Sequence, residues 1–489
     1  MQILTFLFGV PLVASLVTFI LPAMPRVSTK RFAFALSLLP LAIMLYGWSS
    51  LLGEEIDQPW LSALSIHFHL KIDQLSLLFL WLTAIVIPFS ILSTPSREIE
   101  GPKVYYGLIL LLQALLVGFF TSRDLALFTI FWESMLLPLY FIISLWGGPK
   151  RHHAALKFLI YMIAGSTLMV AAVLGLYFVH ASVQGEGSFN FHALALISEN
   201  APYAAVLAAV FFLAFAVKTP LFPFHAWLPE AYTEAPMGGT ILLSALLSKA
   251  GIYGFLRIGG EIFPNFMQAW GPLFLGLAIA GVFYGAFAAW SQNDYKRLLA
   301  YSSFSHVNFV LVGIFVWSQM ALSGAILQAV NHGLTITALF LVAGWLQERI
   351  GSTSLGQFSG LAKYMPHLCW VTLFFVLSSV ALPGLNNFVG EFLIFLGLFA
   401  RNHWVAAGLV LIIIFSVIYM LRWMEKLYFG EPTPQKPGWK DISARELVTA
   451  LPLAAIMLWI GFYPTPLLDQ YTNPSAEQII GTAKLELPQ

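Results

Sequence analysis

Four charged residues lie inside long apolar runs of the sequence, where charge is costly. They are Glu133 in LFTIFWESMLLPLYF, Lys218 in FLAFAVKTPLFPFHAWLPEA, Lys249 in LLSALLSKAGIYGF and Glu391 in VLSSVALPGLNNFVGEFLIF. An unpaired charge at the centre of an apolar helix costs at least about 2.5 to 3.5 kcal/mol, and such residues usually mark ion or proton paths. Because carboxylates and amines accept and release protons, these residues favour proton transfer.

Histidines in the apolar runs are further candidates, since imidazole titrates near neutral pH. His306 in AYSSFSHVNFV and His332 in LQAVNHGLTITALF lie within such runs, and His225 follows shortly after Lys218. A structural alternative remains open for all of these residues. A buried carboxylate or imidazole can also serve only to hydrogen-bond two helices together.

Helix-breaking residues stand beside two of the charges. Pro220 and Pro223 follow Lys218, and Pro383, Gly384 and the Asn386–Asn387 pair precede Glu391. Proline removes a backbone donor and breaks a helix, and free backbone groups at membrane depth persist only beside a cavity or water. Paired discontinuous helices in two halves of a chain are typical of inverted repeats with an ion path near the midplane.

The composition indicates which elements position these residues. Of 489 residues, 59% are hydrophobic and only 10% are charged, against about 25% charged in soluble proteins. The formal net charge of +1 provides no basic surface for nucleic acid. One cysteine, Cys369, excludes an intrachain disulfide and a cysteine-held zinc or iron–sulfur site in this chain. No nucleotide-binding glycine-rich motif occurs.

The chain is predicted to be an all-α integral membrane protein with about fourteen transmembrane helices, because a run of about 20 apolar residues crosses a bilayer as a helix. The predicted spans are 3–22, 32–52, 73–93, 104–120, 124–146, 157–180, 202–228, 239–257, 268–290, 297–316, 319–346, 368–400, 404–428 and 447–467. Spans 4–8 and 9–13 are predicted to form two inverted five-helix repeats, in which helices 7 and 12 are discontinuous. The predicted units are a three-helix segment (1–103), two repeats (104–258 and 259–428), and a cytoplasmic loop, last helix and external tail (429–489).

The distribution of Lys and Arg predicts the orientation, because positive residues stay in the cytoplasm. Most of them fall in alternate connections, which are therefore predicted to be cytoplasmic: Arg26, Lys30, Arg31, Arg97, Lys103, Lys150, Arg151, Lys157, Lys296, Arg297, Arg349, Lys363, Arg422, Lys426, Lys436, Lys440 and Arg445. Both termini are then outside. The outer connections and tail hold Lys71, Arg123, Arg257, Arg401 and Lys484. We expect the polar tail after about residue 468 to be poorly ordered.

The buried charges suggest a mechanism. Two unit charges interact with about 4 kcal/mol at about 4 Å and about 2 kcal/mol at about 8 Å in an effective dielectric of about 20. We therefore expect Glu133 and Lys218 to form a pair that can open and close. Lys249 and His332 are expected to relay a proton onward to Glu391.

Several long motifs resemble the antiporter-like membrane subunits of respiratory complex I. They are FWESMLLPLYFIISLWGG, VKTPLFPFHAWLPEAYTEAP, LLSKAGIYGFLRI, YSSFSHVNF and LPGLNNFVGEF, and the resemblance runs from the first span to the fourteenth. The resemblance implies a proton route through the matching residues Glu133, Lys218, Lys249, His306, His332 and Glu391. Glu391 favours a branch other than subunits L and N, which usually have lysine at this position.

The resemblance also implies a division of labour among subunits. NADH, FMN, iron–sulfur clusters and quinone are expected to bind other subunits, with no cofactor in this chain. Protons are expected to move from cytoplasm to outside, coupled to NADH oxidation and quinone reduction. The implied partners are other complex I membrane subunits, especially L and N on either side, in a bacterial inner (plasma) membrane with periplasmic termini.

Two other functions remain open. The chain could belong to a Mrp-type cation/proton antiporter or a membrane-bound hydrogenase, where similar machinery serves a different reaction. It could also be a purely structural scaffold, which the four buried charges disfavour.

Overall fold

A computed structural model describes residues 3–20, 22, 24–95, 99–198, 203–435 and 439–484. Arg97 and Lys436 of the predicted cytoplasmic connections lie outside the described residues, as do residues 485–489 of the predicted tail.

The first half of the chain consists of helices joined by short connections. They are α1 (Ile3–Ile20), α2 (Arg26–Ser37), α3 (Leu39–Tyr46), α4 (Gln74–Ser93), α5 (Pro102–Thr121), α6 (Leu125–Ser134), α7 (Leu136–Trp146), α8 (Arg151–Gln184), α9 (Phe191–Ser198), α10 (Ala204–Lys218), α11 (Leu228–Glu234), α12 (Met237–Leu242) and α13 (Ser248–Gly254). The π-helical turns Leu243–Leu247 and Phe255–Gly259 make α12 and α13 one continuous segment, Met237–Gly259.

The second half is also helical. Its helices are α14 (Pro264–Trp290), α15 (Tyr295–Phe315), α16 (Gln319–Ile350), α17 (Pro366–Ser379), α18 (Asn386–Arg401), α19 (His403–Tyr428), α20 (Ala444–Phe462), α21 (Thr465–Leu467) and α22 (Asn473–Lys484). Short 3-10 turns cover Ser62–Leu64 in the first half of the chain and Leu361–Lys363 in the second. A π-helical turn covers Leu468–Thr472.

A small β-hairpin departs from the helical pattern in the connection between the second and third predicted spans. Strands β1 (Glu55–Leu61) and β2 (Ile66–Lys71) pair antiparallel, with Glu55 opposite Lys71. The hairpin does not alter the all-α character of the spans.

Each of the fourteen predicted spans contains a helix in the structure. Among the described residues, twelve helical segments are long and apolar enough to cross a membrane. The seventh and twelfth predicted spans are instead built from the shorter apolar helices α10 and α17, each followed by an interruption. This agrees with the breaks expected at Pro220–Pro223 and Pro383–Asn387.

Three segments form the buried centre of the molecule. The spans Met237–Gly259, Tyr295–Phe315 and Gln319–Ile350 are wholly buried over their most apolar stretch, whereas α1, α14 and α19 are only one-third buried. An apolar helix at the periphery faces lipid, so its exposed hydrophobic residues need no protein cover. The central segments carry Lys249, His306 and His332.

Side-chain caps fix the ends of several helices. Asp73 accepts from the Ser76 backbone N–H in a capping box, and Asp124 and Asp294 accept likewise from Leu127 and Arg297. A helix leaves its first N–H groups unpaired, and a carboxylate at the N-cap satisfies one of them. Each of these aspartates thus fixes the residue at which its helix begins.

The expectation of a poorly ordered tail is wrong for the residues that the structure describes. Helix α22 packs against α16, where Ser323 Oγ donates to Asn473 Oδ1 at 2.6 Å and lies 2.8 Å from Thr472 Oγ1. The polar residues of the tail therefore serve as partners for a buried serine.

A close glycine contact holds α20 against the second interruption. A Cβ on Gly461 would lie 2.2 Å from the Gly384 carbonyl oxygen and 2.7 Å from Leu385 Cα. We expect Gly461→Ala to destabilise the protein by about 1 to 3 kcal/mol, because overpacking forces backbone shifts. The measurement is the thermal unfolding midpoint of the detergent-purified protein.

Gly408→Ala in α19 is the matched control, since a Cβ there would have no atom within 4 Å. Its unfolding midpoint should not fall. An equal fall in both variants would show that the contact between α20 and the interruption does not matter.

Candidate functional site

Lys218 ends helix α10 in a buried aromatic environment. Its Nζ donates to the Trp132 carbonyl at 2.9 Å and lies 3.6 Å from the centroid of the Trp132 ring. The side chain is only 3% exposed. A cation over an indole face is stabilised by the ring quadrupole, so Trp132 provides both a carbonyl and a ring for the ammonium group.

Glu133 follows Trp132 on α6 and is an electrostatic neighbour of Lys218. Among the described residues the two form no direct ion pair, and Glu133 Oε1 is buried without a hydrogen-bond partner. Ser166 on α8 lies beside them and accepts from Trp132 Nε1 at 3.2 Å. The structure therefore brings the predicted pair together in an open arrangement.

The first helix interruption lies directly after Lys218. Helix α10 ends at this residue, and Asn308 on α15 contacts the interruption through Nδ2, which donates to the Pro220 carbonyl at 3.2 Å. The Phe222 N–H donates to Asn308 Oδ1 at 3.4 Å. Gly281 makes room for this amide, because a Cβ there would lie 2.3 Å from Asn308 Oδ1.

Lys249 lies immediately after a π-helical turn, a frequent feature of functional sites. Its Nζ donates to the Ser244 carbonyl at 2.7 Å and to Ser248 Oγ at 3.3 Å. The same nitrogen lies 2.7 Å from His332 Nδ1 on α16. Lys249 is fully buried and has an imidazole rather than an acid as its titratable partner.

His332 and His306 continue the path from α16 to α15. Their ring centroids are 5.9 Å apart, with planes tilted by 32°. His306 Nδ1 lies 3.3 Å from Glu391 Oε1 on α18. The Nε2 atoms of both rings are buried without a hydrogen-bond partner among the described residues.

Glu391 lies at the opposite end from Lys249 in the row Lys249, His332, His306 and Glu391. It is 5% exposed, and Gln328 Nε2 on α16 donates to its Oε1 at 3.1 Å. A buried polar group needs partners inside the protein, and Glu391 has the Gln328 hydrogen bond and the His306 ring beside it. The structure thus brings together Lys249, His332, His306 and Glu391, whereas Lys218 and Glu133 form a separate pair.

An amide network fixes the second interruption to α16. Asn386 Nδ2 donates to the Asn331 carbonyl, and Asn331 Nδ2 donates to the Asn386 carbonyl at 2.7 Å. Thr335 Oγ1 accepts from Asn386 Nδ2 at 3.2 Å and from Asn387 Nδ2 at 3.1 Å. Because Asn331 directly precedes His332, the network also fixes the position of that imidazole.

Other histidines lie apart from the row. His225 packs against the rings of Phe222, Tyr284 and Phe304, with its Nδ1 buried and unpaired. His153 lies 3.2 Å from Glu230 in an exposed position. Neither contacts the row from Lys249 to Glu391.

Sequence reasoning missed the amides that support the site. Asn308, Gln328 and Asn331 are fully buried on α15 and α16, and each contacts an interruption or Glu391. An uncharged amide inside an apolar span carries a weaker signal than a charge, but it also needs partners at membrane depth. Their position in otherwise apolar runs was the available signal.

The Gly333 that follows His332 has a packing role. This glycine does not interrupt the helix, because α16 runs unbroken from Gln319 to Ile350. A Cβ on Gly333 would lie 2.8 Å from Leu82. Glycine therefore allows α4 to approach α16 closely.

The fold and the row of titratable residues define a many-span membrane protein of the antiporter-like type. The family described as "NADH:quinone oxidoreductase/Mrp antiporter, TM" matches residues 122–418. The chain is 38% identical to NADH-quinone oxidoreductase subunit M of Escherichia coli (strain K12) over 426 residues, covering 85% of this chain and 83% of that protein. The Pseudomonas aeruginosa subunit M is 40% identical over 418 residues, covering 84% of this chain and 82% of that protein.

Solved structures of related proteins have the same fold as this chain. A chain of respiratory complex I from Thermus thermophilus with bound NADH matches with a TM-score of 0.88 and 31% identity, covering 98% of this chain and 99% of that one. A chain of the Mrp complex from Dietzia sp. DQ12-45-1b shares the fold, with a TM-score of 0.84, 22% identity and 99% coverage of both chains. The chain belongs to the NADH:quinone oxidoreductase/Mrp antiporter family, and within it to the subunit M branch of NADH:quinone oxidoreductase.

The network at the second interruption generates a prediction. Thr335→Val removes the hydroxyl that accepts from both asparagines, and a buried donor left unpaired costs about 1 to 3 kcal/mol. We expect a lower thermal unfolding midpoint for this variant. The matched control is Thr337→Val, since the Thr337 hydroxyl bonds only to the Gly333 carbonyl of its own helix. Equal midpoints for the two variants would contradict the proposed role of Thr335.

Proposed function

We propose that this chain translocates protons from the cytoplasm to the outside through its buried Glu, Lys and His residues, coupled to NADH oxidation and quinone reduction in other subunits. The observation that carries the proposal is the row Lys249, His332, His306 and Glu391 across three central helices. A proton path needs a titratable group or water at each step, and this row supplies four groups in sequence.

The contacts in the row favour transfer in one direction. When Lys249 donates to His332 Nδ1, the neutral imidazole of His332 carries its proton on Nε2. When His306 donates from Nδ1 to Glu391, its Nε2 is the acceptor. The two unpaired Nε2 atoms are then a donor and an acceptor. One bridging water between the rings would complete the route from Lys249 to Glu391.

Glu133 and Lys218 act as the control element in this proposal. Their open arrangement leaves the Lys218 ammonium on the Trp132 carbonyl and ring. Closing the pair would stabilise that charge, and opening it would free the lysine to repel a proton on Lys249. The two lysines are linked by packing, since a Cβ on Gly251 would lie 2.0 Å from Thr219 Oγ1.

The topology that goes with this function has fourteen spans. It includes two inverted five-helix repeats, spans 4–8 and 9–13, with discontinuous helices 7 and 12. Support comes from the two interruptions, each held by amides on the helices that carry the histidines. We place both termini on the periplasmic side of a bacterial inner membrane, and the units at 1–103, 104–258, 259–428 and 429–489.

Other subunits complete the enzyme in this proposal. The redox cofactors NADH, FMN, iron–sulfur clusters and quinone bind elsewhere, and subunits L and N flank this chain. Within the described residues there is no group of three His, Cys, Asp or Glu side chains arranged to hold a metal ion. In this proposal the residues of the row act on protons by their own acid–base chemistry.

Replacing Lys249 tests the function. In the purified complex reconstituted into liposomes, Lys249→Met should lose proton translocation during NADH oxidation, because the row loses its first titratable group. Electron transfer from NADH to a soluble artificial acceptor should remain and report assembly. Full translocation in the assembled variant would contradict the proposal.

Lys30→Met is the matched control. Lys30 is also buried, but among the described residues its Nζ donates to the Leu92 and Thr94 carbonyls, at 2.9 and 2.6 Å, and to no residue of the row. Proton translocation should persist in this variant once it assembles.

A cation/proton antiporter or hydrogenase is the alternative. The subunit composition of the purified complex distinguishes the functions: NADH-oxidising and quinone-binding subunits support our proposal, and a set of antiporter or hydrogenase subunits alone contradicts it.

A further inference from the structure

One face of the central segment Met237–Gly259 carries Lys249, Tyr253 and Arg257 on successive turns, with Glu261 one turn beyond. Residues four apart on a helix lie above one another. We call these four residues the outer column, because the proposed topology places Glu261 on the outside. The column is the shortest path along this helix from the buried lysine to the outer surface.

Tyr253 blocks the first step of the outer column. Its hydroxyl donates to the Phe120 carbonyl at 2.5 Å and accepts from Arg257 Nε at 3.0 Å and Nη2 at 2.7 Å. A phenol has one proton to donate, and here it is committed to a backbone carbonyl. The rings of Phe79 and Phe120 pack against the Tyr253 ring and leave it fully buried.

Arg257 blocks the second step. The sequence placed it in an outer connection, but it is 1% exposed and lies inside the helical segment. Its Nη1 and Nη2 contact Asp73 at 2.7 and 2.8 Å, and Nη1 also contacts Glu261. A guanidinium does not release its proton at accessible pH. Its contacts with Asp73 and Glu261 also hold the guanidinium in place within the column.

The acids beside Arg257 are already neutralised. Arg123 contacts Asp73 at 2.6 Å and Glu261 at 2.7 Å, so two arginines face two carboxylates. Burial would raise the pKa of Asp73, but Arg257 and Arg123 outweigh it and hold that pKa well below its usual range. The Asp73 carboxylate is therefore not free to take a proton from Lys249.

A cavity lies at the outer end of the column. This cavity of about 480 Å³ is lined by Arg123, Glu261, His69 and Lys71, among others, and Arg257 is not part of its lining. Along this helix, two turns separate the cavity from Lys249, and they carry Arg257 and Tyr253. Those two side chains are thus the barrier between the outer cavity and the row.

We propose that Tyr253 and Arg257 set the direction of transport by closing the outer side of Lys249. A proton on Lys249 then leaves only through His332 toward the second half of the protein, and outside protons cannot return to it along α13. The inference rests on the proposed function, since it assigns a barrier to the same lysine.

Passive proton conductance tests the barrier. The reconstituted complex carries an imposed pH difference without NADH or quinone, and collapse of the gradient is followed by an internal pH dye. We expect Tyr253→Ser to conduct protons several-fold faster than the wild type. The shorter side chain leaves space for water at the first step and no longer accepts the hydrogen bonds that hold Arg257 across the second. Tyr253→His keeps a planar ring but adds a titratable relay, so its leak should increase toward pH ~6.5 and below.

Two controls separate a barrier from a general packing defect. Tyr105→Ser truncates another fully buried tyrosine away from the column, and it should not leak. The added substitution Lys249→Met should abolish the leak of Tyr253→Ser, because a proton entering the column then finds no acceptor. A leak that persists without Lys249, or the absence of a leak in assembled Tyr253→Ser and Tyr253→His, overturns the proposal.

The outcomes also distinguish this proposal from the proposed function. If Lys249→Met loses translocation and the Tyr253 variants show no proton leak, only the proposed barrier is contradicted. Normal translocation in Lys249→Met contradicts the proton route itself.

Discussion

The cost of an unpaired polar group in hydrocarbon governs this structure. Four charges, several histidines and two stretches of non-helical backbone lie at membrane depth, and each requires a partner inside the protein. The partners come mainly from the central segments Met237–Gly259, α15 and α16, whose most apolar stretches are wholly buried. The peripheral helices shield this centre from lipid. The same requirement therefore explains why these segments are buried and why their polar groups are paired with one another.

The same helices support the interruptions and carry the proton-active residues. On α15, Asn308 holds the first interruption while His306 contacts Glu391. On α16, Asn331 holds the second interruption while the adjacent His332 contacts Lys249. A shift of either interruption would thus move an imidazole. This arrangement gives a physical route by which motion of a broken helix could change the contacts of the row.

Charge and proline carry strong signals in an apolar sequence, and the features that depend on them were predictable. The spans, both interruptions and the buried positions of Lys218, Lys249 and Glu391 follow from residues that hydrocarbon does not tolerate without a reason. A relay from Lys249 and His332 to Glu391 was expected, but neither the direct contact of Lys249 with His332 nor the place of His306 between His332 and Glu391 was specified. Distances between helices depend on small packing contacts, such as Gly251 against Thr219, which the sequence did not reveal. The burial of Arg257 was missed because a residue at the end of an apolar run can face either water or protein.

The central claim is that Lys249 and His332 belong to one continuous route. A double-mutant cycle of proton translocation per NADH oxidised, on the reconstituted complex, tests it most directly. Residues that act as a unit show non-additive losses. The account predicts that His332→Leu alone loses translocation, and that Lys249→Met combined with His332→Leu loses no more than either single variant. Independent, additive losses, or wild-type translocation in assembled His332→Leu, would contradict it.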